Sequence, residues 1–155
     1  MSETPSAVLT AFRGATPVLA ALPCEVSVFD ALDDADVLDV QREIAAQRRL
    51  LDARAAVVAG QVARRSAPEL GSAGLAQRGG FRTPEELTRV TTGSTAGDAR
   101  LAVRVGVLMN ETATGGRIDQ NTGEHFPPTV PWLASVSYAV AAGELSVAAA
   151  EAIRS

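Results

Sequence analysis

Lysine is missing from this chain altogether, and cysteine, histidine and aromatic residues are scarce. All fourteen cations among the 155 residues are arginines, beside one Cys, one His, four Phe, one Trp and one Tyr. The lone Cys24 has no partner for an internal disulfide. Without a CxxC or Cys/His cluster no zinc site can be built from sequence neighbours. With no lysine there is no Walker motif, and Gly71, Gly74, Gly79 and Gly80 follow no strand that would make them a phosphate-cradling loop. The single His125 has no second His or Cys with which to share a metal, and it sits in Asn121-Thr122-Gly123-Glu124-His125, a loop-like setting unsuited to Ser/His/Asp catalysis. Long apolar runs are lacking too. Val18-Leu19-Ala20-Ala21-Leu22 is too short for a membrane span, Glu3 with no early cation argues against a secretory leader, and Cys24 follows Pro23 rather than the small residue of a lipoprotein cleavage site. These absences predict an unanchored cytoplasmic chain with no membrane contact, no evident small-molecule substrate, no cofactor of its own and no catalytic residues in this segment.

What is present is helical. Hydrophobic residues make up 46% of the chain but aromatics only 4%, so the core has to be built from alanine and valine packed closely, as between helices and not in a β-sandwich. Residues 1–26 carry Pro5, Pro17, Pro23 and Gly14 among short apolar pieces and read as a flexible leader with at most a helical turn at Val8 to Phe12. A helical domain is predicted over 27–155. Asp33 or Asp34 caps a helix that runs without Gly or Pro to Ala59 and ends near Arg64-Arg65-Ser66. Val37, Ile44, Leu51 and Val58 recur every seven residues on it, with Val40, Ala55 and Val62 one turn away. That stripe reads as the core-facing side of a bundle helix, or as a seam for a second copy of the chain. The run of acids Asp33-Asp34-Ala35-Asp36 reads as helix-start charge.

Further along, Pro68 to Gln77 is a short helix weakened by two glycines. Thr83-Pro84-Glu85-Glu86 combines a capping box with proline at the first helical position, the strongest helix start in the chain. Leu87, Val90 and Thr91 form the apolar edge of that helix, Gly93 ends it, and Ser94 or Thr95 opens another through Ala99, Leu101, Ala102, Val105, Leu108 and Met109. Residues 110–130 lose periodicity and read as a loop. Pro131-Trp132 then opens a helix to Gly143, with Trp132 as a core anchor. A final helix starts at Ser146 and reaches Ser155 without a closing signal, the pattern of a chain that continues. The fold class expected is all-α: an irregular helical bundle with one long N-terminal helix and two short pairs resembling helix-turn-helix units, one around Gly93 and one around Gly143.

Net charge is −4, yet its distribution is uneven. Residues 1–40 carry seven acids against Arg13, 41–110 carry eleven arginines against six acids, and 111–155 carry two arginines against five acids. Phosphate affinity depends on where cations cluster, so the middle segment permits a nucleic-acid partner. Arg78, Arg82, Arg89, Arg100 and Arg104 are the candidate contacts, the last three within the first helix pair; the alternative is a solvated surface with intrahelical ion pairs. In the second pair, alanines and Glu151 leave little for groove reading.

The order and spacing of Leu50-Leu51-Asp52-Ala53-Arg54, Gly74-Leu75-Ala76-Gln77-Arg78, Arg82-Thr83-Pro84-Glu85-Glu86-Leu87, Thr92-Gly93-Ser94, Ala102-Val103-Arg104-Val105-Gly106 and Ala141-Ala142-Gly143-Glu144-Leu145-Ser146 resemble the 13E12 repeat family, the domain of unknown function 222. The resemblance spans about residues 28–155. That family is common in high-GC actinobacteria and is often followed by an HNH endonuclease domain. The resemblance implies a non-catalytic N-terminal module that assists DNA binding or positioning, with the divalent metal and the His/Asn/His chemistry of a nuclease lying beyond Ser155. It assigns no catalytic residue to this chain. The alternative is a protein-interaction or dimerisation module organised by Val37, Ile44, Leu51 and Val58.

Overall fold

In the computed structural model, which describes residues 5–113, 117–118, 125–126 and 132–154, helices follow one another almost without interruption. They are α1 (Pro5–Ala20), α2 (Val26–Asp30), α3 (Asp34–Arg64), a 3-10 stretch (Pro68–Ala73), α4 (Leu75–Arg78), α5 (Pro84–Thr92), α6 (Ala96–Ala113), α7 (Trp132–Ala141) and α8 (Val147–Arg154). The only strand pairing among the described residues is an antiparallel ladder of β1 (Arg117–Ile118) with β2 (His125–Phe126). The all-α class expected from the small-residue composition is the class observed.

The helix signals of the sequence act where they stand. Asp33 Oδ1 accepts the Asp36 N–H at 2.9 Å, Thr83 Oγ1 the Glu86 N–H at 3.2 Å, Thr95 Oγ1 the Asp98 N–H at 3.1 Å and Ser146 Oγ the Ala149 N–H at 3.1 Å, each satisfying a donor that the first turn leaves unpaired. Gly93 and Gly143 close α5 and the α7 turn with φ of 67° and 75°, the left-handed conformation that other residues adopt only at a cost.

The chain divides into two compact units, Met1–Arg42 and Glu43–Ser155, and the division falls inside α3. In the first unit the expected leader forms α1, a sixteen-residue helix that contains Pro17. Pro17 lacks the backbone donor that would meet the Arg13 carbonyl, three residues before the helix ends at Ala20. No described side chain of this unit is buried, and Phe12, Leu22, Val26 and Leu38 are among its exposed apolar residues.

The second unit has a core of Ala53, Ala56, Val105, Met109, Val136, Val140, Val147 and Ala150, flanked by Leu101 and Leu145. Small side chains let helices approach until backbone meets backbone. A Cβ on Gly106 would overlap the Ala56 carbonyl oxygen, and one on Gly60 would overlap Asn110 Nδ2 and the Gly106 carbonyl. This crossing is fastened by Gln61 Nε2 donating to Asn110 Oδ1 at 2.5 Å, while Asn110 Nδ2 donates within α6 to Gly106 O at 2.9 Å, which orients the amide.

That approach decides which face of α3 is inside. Ala53, Ala56, Ala59 and Gly60 are buried. Val37, Ile44, Leu51 and Val58 are 43%, 56%, 43% and 56% exposed, which corrects the core-facing reading of the stripe. Leu51 and Val58 lie on the side of the helix opposite Ala53 and Gly60, and bulk on the buried face would hold the helices apart. Other expectations are corrected as well. Thr88, not Val90, is the buried residue of α5, because Val90 stands two residues on and therefore on the other side. Trp132 is 49% exposed, one turn ahead of Val136, the first buried residue of α7, so it is no core anchor. The helix α6 continues through Ala113, past the predicted loop start at 110. Apart from the backbone of β1 and β2, the rest of that loop lies outside the described residues, the His125 side chain included.

Candidate nucleic-acid interface

Two helices and a tight turn position the arginines. The capping box fixes the start of α5, with Glu86 Oε2 also accepting the Arg82 N–H at 3.0 Å. Gly93 reverses the chain, with Thr92 Oγ1 donating to Thr88 O at 2.8 Å, and Thr95 starts α6. Ala99 and Val103 turn inward, which leaves Arg100 and Arg104, one helical turn apart, exposed. Between α5 and α6 lies an open groove of about 430 Å³ lined by Thr83, Glu85, Glu86, Arg89, Ala96, Arg100 and Arg104.

Three of the five predicted arginines therefore share one concavity. Arg89 and Arg100 have no hydrogen-bond or ion-pair partner among the described residues. The other two stand apart from the lining. Arg78 Nη1 donates to Ala73 O at 3.0 Å, tying down the turn before α4, and Arg82 is exposed just before α5. The groove is not purely basic, for Glu85 and Glu86 set two carboxylates against three guanidiniums. Glu86 is engaged in the cap, so its charge is partly committed to backbone donors.

Sequence reasoning missed Glu151. Its Oε1 accepts from Arg104 Nη1 at 3.1 Å, and its Oε2 and Oε1 accept from Arg154 Nε and Nη2 at 3.0 and 3.2 Å. The Arg154 partner is visible in the sequence at a spacing of three, but Arg104 is 47 positions away and only the packing of α8 on α6 brings it close. The hydrogen bond from Arg154 holds the Glu151 carboxyl below the ordinary glutamate range; burial opposes this, and the bond from Arg104 adds to it. A carboxylate whose folded pKa is depressed contributes stability that is present above its unfolded pKa and lost as pH falls through its folded value. Denaturant unfolding followed at descending acid pH should thus show a loss in the wild type that is smaller in Glu151→Gln; identical acid limbs would contradict the assignment.

No three or more His, Cys, Asp or Glu side chains gather into a metal-binding group among the described residues. Among the same residues, no helix is long and apolar enough to cross a membrane. Comparison of the chain with protein-family models, with curated proteins and with solved structures finds no match in any of the three.

Proposed function

We propose that this chain is a non-catalytic helical module that binds the phosphate backbone of DNA through Arg89, Arg100 and Arg104. The observation that carries the reading is the convergence of these three arginines on one open groove, two of them with no partner among the described residues. Guanidinium forks suit phosphate oxygens, and two arginines a turn apart on α6 facing a third on α5 can follow a backbone instead of a single ion. The resemblance to the 13E12 repeat family supports the same reading and extends it: the module would position DNA for an HNH endonuclease domain, whose divalent metal would be held by residues outside this chain. The test is salt-dependent binding. For three phosphate contacts, log affinity for duplex DNA should fall against log salt with a slope of about −2.7.

A second reading, association of two copies along α3, is favoured by the exposure of Val37, Ile44, Leu51 and Val58. Of the positions one turn on, Val40, Ala55 and Val62 are apolar but Gln47, Arg54 and Gln61 are polar, so the second row of a two-position seam is incomplete. Sedimentation equilibrium separates the two readings: a dimer dissolved by Ile44→Asp supports the second, and a monomer at micromolar concentration removes it.

A further inference from the structure

Among the arginines of the groove, Arg104 differs in already holding an anion. Its side chain is 59% exposed, whereas that of Glu151 is 16% exposed and is carried on α8 by the buried Val147 and Ala150. A carboxylate offers a guanidinium two oxygens in much the same fork as a phosphate does, so each satisfies the donors that the other would use. Glu151 is also held by two donors of Arg154, and it would keep these if Arg104 left. Exchange therefore leaves no orphaned charge on α8, and a partly exposed pair is weak enough to be exchanged.

We propose that Glu151 is an intramolecular stand-in for phosphate on Arg104, so that a phosphodiester entering the groove takes Arg104 from Glu151 while Arg154 retains the carboxylate. The site then has two standing cations, Arg89 and Arg100, and one conditional cation. Binding is weaker than three free arginines would give, and α8 senses occupancy of the groove. This rests on the proposed phosphate-binding role.

The experiment measures binding of the full chain to a fluorescent duplex by anisotropy at low salt. Glu151→Gln should bind roughly threefold to tenfold more tightly at an unchanged salt slope of about −2.7, because Arg104 meets a phosphate in both proteins and only the competing carboxylate is lost. Glu144→Gln, the same change of charge in the turn before α8, should bind as the wild type does. In an Arg104→Ala background the gain from Glu151→Gln should vanish. Glu151→Asp keeps the charge but shortens the reach; it should give a smaller gain, and it serves in place of Glu151→Gln should circular dichroism show the latter unfolded. Unchanged or weaker binding by both variants, or a gain that survives Arg104→Ala, overturns the proposal even where Arg89→Ala and Arg100→Ala each weaken binding. Absence of binding by the wild type and by every variant overturns the phosphate-binding role along with it.

Discussion

Gly106→Ala is expected to destabilise the protein by about 3 kcal/mol or more, the upper end of the cost of overfilling a packed interior. The added methyl group would overlap the Ala56 carbonyl oxygen and crowd the Gly60 backbone, neither of which can rotate away as a side chain can. Relief requires α3 and α6 to separate. Separation would loosen the Gln61–Asn110 hydrogen bond and the contacts of Ala53 and Ala56 with Val105 and Met109. In a thermal melt the midpoint should drop by about 10 °C. Gly97→Ala in the same helix is the control, since only Thr95 Oγ1 lies near its added carbon, at 3.7 Å. It should be neutral or stabilising by up to about 1 kcal/mol, as expected for alanine over glycine in a helix. Equal melts for the two variants would mean that the backbones of α3 and α6 do not approach as described.

The joint change of Arg89, Arg100 and Arg104 to alanine should have the largest effect on binding. Each guanidinium removed deletes a charge-assisted hydrogen bond and a released counterion. At low salt the three together should lower affinity for duplex DNA by roughly a hundredfold or more. The net charge of −4 makes the loss steeper, because no remaining excess of cations holds the nucleic acid near the molecule. Folding should survive, for the three side chains line an open groove and are exposed. The single variants should each lower the salt slope by about one unit, with Arg104→Ala the mildest because that arginine is shared with Glu151.

Local chemistry was legible in the sequence. The caps at Asp33, Thr83, Thr95 and Ser146 and the turns at Gly93 and Gly143 follow from residues a few positions apart, and each stands in the structure. The grouping of Arg89, Arg100 and Arg104 was legible for the same reason: a short turn between two helices leaves few ways to arrange them. The inward face of α3 was not. Periodicity favoured the large residues Val37, Ile44, Leu51 and Val58, whereas the close passage of Gly60 and Gly106, 46 positions apart, selects the alanines. Size of side chain misleads where helices pack through their backbones. The Glu151–Arg104 pair was hidden by a similar separation, 47 positions along the chain. In α1, prolines and glycine suggested a break, yet the residues between them hold a helix.

The central claim is that the groove between α5 and α6 holds the phosphates of DNA. It is tested most directly by comparing the salt dependence of duplex binding by the wild type and by the Arg89, Arg100 and Arg104 triple alanine variant in one anisotropy series. The wild-type slope should be about −2.7 and the variant slope close to zero. Parallel slopes, or a wild type that fails to bind at low salt, would contradict it.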